Sequence, residues 1–271
     1  MIKPRLCITT YFNSHFERIG KICTKSIKKY AIRHGYDTRI CTETRSDLPP
    51  QWEKIDVILS LFDEEYEFVL WVDADALFVR FDVDIADEIE NEKDIYVPLF
   101  TVEGKKIPNT GVMLLRNAPA TRHMLESLRA LKQYTYHIWY ENAAFFEYVG
   151  IISYLPPTYR LLMPSNGIVS SNPHIDNRIK WLSSRWNEIP GYDARSAATL
   201  IRHYAGHPTH TRLYFMSISA YGADLIPLRT LLKNCQHAFF GYASDVTRKI
   251  KPFGRLLNET AVAIKERIWK K

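Results

Sequence analysis

The sequence predicts an α/β fold: a mostly parallel central sheet flanked by helices, with a C-terminal helical tail. Three observations carry this. The run Phe68-Val69-Leu70-Trp71-Val72-Asp73-Ala74-Asp75-Ala76-Leu77-Phe78-Val79 is apolar on both sides of two carboxylates, as expected of a strand buried on both faces. The chain opens with a β-α-β pattern, which implies a right-handed crossover and a parallel pair. From Ser244 onward, apolar residues recur mostly every three or four positions, the stripe of an amphipathic helix. The 271 residues, 46% of them apolar, suffice for a substantial core. The pattern divides into an α/β domain over 1–225 and a basic tail over 226–271.

In chain order, Leu6-Cys7-Ile8-Thr9-Thr10-Tyr11 is a β-branched run and the expected first strand. His15 to His34 carries Phe16, Ile19, Ile22, Cys23, Ile27, Tyr30 and Ala31 at helical spacing, and Gly35 follows as a stop. Thr38-Arg39-Ile40-Cys41-Thr42 is the second strand. Pro49-Pro50 breaks the chain before a helix from Trp52 to about Phe62. The acidic stretch Asp82 to Glu92 reads as a short helix and turn, and Ile95 to Phe100 as a strand. Asn109-Thr110-Gly111 is a turn ahead of the strand Val112 to Leu115, and Thr121 to Tyr134 is helical. Trp139 to Phe146 begins a further amphipathic piece in which Glu141 and Asn142 stand among aromatics. Tyr154-Leu155 and Leu161-Leu162-Met163 read as short strands, and Ser165 to Pro190 as an irregular lid. Leu200 to Pro208 is a strand ending in histidine and glycine.

The net charge of +6 is uneven. Residues 245–271 hold eight basic and three acidic side chains, a surplus of +5, so the remainder is near neutral. This excludes a general nucleic-acid binder and marks a basic tail that fits an anionic membrane surface or packs on the domain with a solvated face. No run approaches the roughly 18 apolar residues of a membrane helix. Met1 to Arg5 lacks the apolar block of a signal peptide. Cys7, Cys23, Cys41 and Cys235 form no CxxC pair and are expected to be reduced thiols. The expected location is the cytosol, at the inner membrane face.

Asp73 and Asp75 are the candidate chemical centre. On a strand they share one face, because side chains alternate with period two. Two bare carboxylates there repel one another and lose solvation, and a divalent cation removes both costs. Hard oxygen ligands suit magnesium or manganese, which also hold substrate phosphates. The plainer reading is a strand end with two solvated aspartates. Ligands of open α/β sheets gather at the carboxyl ends of strands, so Thr9, Thr10 and Tyr11 are candidates to meet a nucleotide. His203 is a candidate third metal ligand.

These residues form an ordered series that resembles the GT-A nucleotide-sugar glycosyltransferases. Within them it is similar to the group of fungal mannan-building α-glycosyltransferases and plant xyloglucan xylosyltransferases. Tyr30-Ala31 with His34-Gly35-Tyr36 looks like "YA..HGY", and Trp52-Glu53-Lys54 like "W.K". Trp71 to Phe78 matches "W.DAD..F". Asn109 to Asn117 matches "N.G...LRN", and His203 to Gly206 matches "H..G". The resemblance spans roughly residues 5–208. It implies a Rossmann-like α/β/α sandwich and retaining transfer from a nucleotide-sugar, a UDP-sugar first, to a glycan or lipid-linked glycan. It implies Mn2+ (or Mg2+) on Asp73, Asp75 and His203. Thr9, Thr10, Tyr11, Lys54, Asp73, Ala74, Asn109, Gly111 and Gly206 would face the donor, and Glu141 and Asn142 would sit beside the anomeric carbon as catalytic residues. Two departures stand out. Asn142 replaces the group's Gln, and the Lys that follows "H..G" is missing, which leaves Arg212 or a protonated histidine of the stretch His207 to Arg212 to meet the diphosphate.

Other classes are open to the same residues. A strand followed by DxD also opens haloacid-dehalogenase phosphatases, although there it is the first strand and continues Gly-Thr. A glycan-binding or membrane-docking module could keep the fold without activity, against which the intact Asp73, Asp75 and His203 speak.

Overall fold

The computed structural model describes residues 3–102, 105–150, 153–154, 160–161, 177–193 and 196–221. The expected tail over 226–271 and much of the expected lid lie outside the described residues. Two parallel pairs start the sheet: β1 (Leu6–Tyr11) with β2 (Asp37–Cys41), and β1 with β3 (Phe68–Val72). The link between β1 and β2 is α1 (Glu17–His34), and that between β2 and β3 is α2 (Glu53–Asp63). Gly35 ends α1 with φ 64 and its N–H on the Ala31 carbonyl, a left-handed cap that favours glycine.

After β3 come the short β4 (Ala76–Phe78), β5 (Ile95–Val102), β6 (Lys105–Pro108) and β7 (Val112–Arg116). Next are α3 (Pro119–Ala130), α4 (Tyr140–Tyr148) and a two-residue ladder of β8 (Ser153–Tyr154) with β9 (Arg160–Leu161). The described chain closes with β10 (Ile179–Leu182), β11 (Ile201–His203) and α5 (Thr209–Tyr221). The main sheet runs β10-β5-β7-β3-β1-β2, with β6 beside β5. β1, β2, β3, β5 and β10 point one way, and β7 runs against both β3 and β5.

Period two divides the core. Leu6, Ile8, Phe68, Leu70 and Val72 face α1 and α5, meeting Ile19, Ile22, Ile27, Tyr214 and Phe215. Cys7, Val69 and Trp71 face α2, α3 and α4, meeting Trp52, Ile58, Leu125 and Phe145. Cys7, Cys23 and Cys41 are free, and burial pushes the Cys7 thiol up to about 12.

Three expectations change. β3 ends at Val72, so Asp73 and Asp75 do not share a strand face. They lie on a turn closed by Ala76 N on the Asp73 carbonyl. Within 165–190, residues 179–182 form an edge strand parallel to β5 rather than lid. The expected strand over Leu200 to Pro208 is only the three residues of β11, Ile201–His203. It pairs antiparallel with β4, setting His203 opposite Ala76.

Several motif residues serve this scaffold. Tyr30 OH donates to the Val83 carbonyl and accepts from Ile85 N, while Tyr36 OH donates to Asp84 Oδ1 at 2.6 Å. His34 Nε2 lies 2.9 Å from the Phe81 carbonyl, and its Nδ1 3.3 Å from Asp84. Asn117 Nδ2 donates to the carbonyls of Phe62 and Tyr66, fixing the end of α2.

Candidate functional site

At the carboxyl ends of β1 and β3 lies a cleft of about 470 Å³. Its floor is the turn Asp73-Ala74-Asp75. Asp73 N donates to the Gly111 carbonyl at 2.7 Å, and Trp71 Nε1 donates to Asp73 Oδ1 at 2.6 Å, so the turn is held from two sides. The β4–β11 ladder brings in His203. One oxygen each of Asp73 and Asp75 and one His203 nitrogen all lie within 4.8 Å of one another.

The orientation of His203 follows from its neighbours. Asn187 Nδ2 donates to the Asn109 carbonyl and to Asn109 Oδ1, so Asn187 Oδ1 is the end that meets His203 Nδ1 at 3.0 Å. An amide oxygen only accepts, which requires a proton on Nδ1. With the proton on Nδ1, Nε2 is the ring nitrogen that faces Asp75 Oδ1, 3.1 Å away, with Asp73 Oδ2 at 3.8 Å; a protonated ring donates there, and a neutral one would offer its lone pair to a cation. A divalent cation fits this donor set, and Asn187 holds the ligand in the needed tautomer. Gly111 makes the packing possible, since a Cβ there would lie 2.2 Å from His203 Cε1.

Two cations balance the carboxylates. Arg212 Nε lies 3.3 Å from Asp75 Oδ2, and its guanidinium lies over the Phe16 ring. Burial alone would push the Asp75 carboxyl up, but His203 and Arg212 outweigh it and hold it well below the usual carboxylate range. Lys54 is buried beneath the cleft. Its ammonium meets Glu141 Oε1 at 2.5 Å, Asp73 Oδ1 at 3.2 Å and the Thr110 carbonyl at 3.2 Å, one acceptor for each N–H. Burial pulls its pKa down, and the two carboxylates more than reverse this, so Lys54 keeps its charge. Burial also pushes the Glu141 carboxyl up, against the pull of the shared Lys54.

Tyr11, Lys54, Asp73, Ala74, Asp75, Asn109, Gly111, Glu141, Asn142, His203, Gly206 and Arg212 all line the cleft. Thr9 and Thr10 do not. Both are fully buried inside β1, Thr10 beside Cys23 Sγ, and only Tyr11 at the strand end reaches the opening. The Tyr11 hydroxyl is bonded to Thr44 Oγ1. Lys54 gives its donors to protein acceptors rather than to the cleft. Glu141 is bound by Lys54 and by Thr110 Oγ1, and Asn142 Oδ1 accepts from Thr110 N and Oγ1, both at 2.9 Å. Tyr140, just before them, has φ 45, a left-handed value that a side chain disfavours.

Sequence reasoning missed Thr110, which joins Glu141 and Asn142 to the Gly111 turn, and it missed Asn187. Asn187 sits in the segment read as lid, where no periodic signal marks it. Its place is set by His203 N donating to the Glu188 carbonyl.

Residues 8–102 match the model of the galactosyl transferase GMA12/MNN10 family. No curated protein sequence matches the chain. Among solved structures, one similar to it is a glycosyltransferase involved in glycosylation of the major capsid of PBCV-1. That likeness has 16% identity and a TM-score of 0.60, and covers 79% of this chain and all of that one. Another is the glycosyltransferase GlyE of Streptococcus pneumoniae TIGR4, at 13% identity and TM-score 0.52, over 90% of this chain and 64% of that one. A phosphatase reading does not survive the topology, because Asp73 follows the third strand rather than the first. Residues 8–102 are thus similar to the GMA12/MNN10 galactosyl transferase family, and the chain as a whole shares the GT-A fold of solved glycosyltransferases.

Proposed function

We propose that the chain transfers a sugar from a nucleoside-diphosphate donor, a UDP-sugar first, to a hydroxyl of a glycan or lipid-linked glycan, using Mn2+ or Mg2+ and retaining the anomeric configuration. The observation that carries this is the Asp73, Asp75 and His203 set on the cleft floor, with His203 Nδ1 held by Asn187 and Nε2 turned toward the two carboxylates. A bound divalent ion would supply Lewis-acid stabilisation to the charge that grows on the leaving diphosphate.

The chain's own residues account for the rest. Asp73, Asp75 and Glu141 place three negative charges in or under the cleft, against two positive ones on Lys54 and Arg212. With a divalent ion the total becomes positive, which suits a diphosphate. Arg212, already beside Asp75, is placed to meet the donor's phosphate oxygens. Retention is supported by the state of Glu141. An inverting enzyme needs a carboxylate base opposite the leaving group. Each carboxylate lining the cleft among the described residues is committed, Asp73 and Asp75 to the ion and Glu141 to Lys54 and Thr110. The leaving phosphate oxygen then takes the acceptor proton on the same face. Asn142 and the Glu141 carboxylate offer electrostatic support to the developing cationic sugar.

The test is titration of UDP with and without Mn2+ on wild type and on Asp75→Ala. Metal-dependent binding that weakens by more than about a hundredfold in the variant is expected, about 3 kcal/mol. Metal-independent UDP binding, untouched by Asp75→Ala, would sink the metal–diphosphate reading. Binding of GDP in place of UDP would move the donor class. Turnover of the bound sugar nucleotide, with the product anomer read by NMR, then decides retention.

A further inference from the structure

The inner face of α1 is fixed in the core by Ile19, Ile22, Cys23, Ile27 and Tyr30. Its outer face exposes Arg18, Lys21, Lys25, Lys28, Lys29 and Arg33 against a single acid, Glu17. Among them stands Ile32, 83% exposed. The asymmetry is steep. Residues 17–34 carry a surplus of +5 and residues 245–271 another +5, in a chain whose total is +6. The rest of the sequence is therefore acidic by four charges. An ordinary solvated surface intersperses both signs, whereas this face presents one sign on a rigid support.

We propose that the outer face of α1 is a docking surface for an anionic lipid membrane. Charge complementarity selects the occupant. A lipid surface meets every basic side chain of one helix face at once, at about fivefold in partitioning per charge, and Ile32 adds an apolar contact in the last turn. The placement has a use. Phe16, immediately before α1, lines the cleft and carries Arg212 over its ring. Docking through α1 lays the cleft rim beside the lipid headgroups, within reach of a lipid-linked acceptor. That last consequence rests on the proposed transfer reaction. The docking itself does not.

The experiment is sedimentation of the full chain with phosphatidylcholine vesicles, with and without phosphatidylglycerol. Wild type and the triple variant Lys21→Gln, Lys28→Gln, Arg33→Gln are compared. Wild type should bind only the anionic vesicles and release at high salt. The triple variant should partition on the order of a hundredfold less while binding UDP as wild type does, which separates this result from a failure of the donor site. Equal partitioning of the two proteins would overturn the proposal and leave any membrane contact to other residues. So would no preference for anionic lipid, or RNA binding that depends on the same three side chains without vesicle binding.

Discussion

A polar cluster sits at each end of α1, and the two are built on opposite principles. At the C-terminal end, one carboxylate, Asp84, is met by the Tyr36 hydroxyl, the Ala86 N–H, His34 and Lys3. Burial would raise its pKa, but those donors more than offset this and lower it. Every group has a partner and nothing is left to bind. At the N-terminal end, three carboxylates share Lys54 and Arg212, and two of them converge with His203 Nε2 on the open floor of a cleft. That end has the donor set and the room for a ligand. Both clusters contain residues of the family-like motifs, so a motif match by itself does not separate the residues that hold the fold from those that line the cleft.

Four substitutions sharpen this contrast. The largest effect is expected from Lys54→Met, which strands the buried Glu141 carboxylate, takes a cation from half-buried Asp73, and should cost about 4 kcal/mol in urea unfolding. Adding Glu141→Gln should recover part of it, and no recovery would break the charge-balance account. Gly111→Ala comes next. It should stay folded by circular dichroism yet weaken Mn2+-dependent UDP binding by about a hundredfold, because the new methyl displaces His203. Asn187→Leu frees the His203 tautomer and should weaken metal binding roughly ten- to a hundredfold, read by Mn2+ titration. The smallest is Tyr36→Phe, about 1 kcal/mol of stability with donor binding unchanged. Because the folded Asp84 pKa lies below its unfolded value, its stabilisation is present at neutral pH and is lost as pH falls through the carboxylate range. The Tyr36→Phe deficit should therefore shrink in acid, and a deficit constant with pH would contradict the hydrogen bond to Asp84.

Local pattern carried much of the fold. The α1 period, the Gly35 stop and the apolar run of β3 were legible because each depends on neighbours in sequence. The DxD residues were legible as a pair, but the geometry assigned to them was not. A strand and a turn both bring residues two apart close together, and only the Ala76 N–H on the Asp73 carbonyl decides for the turn. Thr9 and Thr10 were misplaced because the sequence does not mark where β1 leaves the sandwich. Lys54 read as donor-facing because its acceptors, Asp73 and Glu141, come from distant parts of the chain. Asn187 gave no signal, since a lone amide in an irregular stretch looks like any loop residue.

The β4–β11 ladder has a consequence for how the protein is made. Asp75 and His203 are 128 residues apart and meet because Ala76 pairs with His203. A ribosome delivers the chain from its N-terminus. Residues 8–102 therefore emerge with both aspartates but without His203, Asn187 or Arg212. The Asp73, Asp75 and His203 set is completed only when β11 closes on β4, late in synthesis. Under the proposed function, capture of the sugar nucleotide becomes a report that the distant halves of the chain have found each other, and a prematurely ended product is silent by construction.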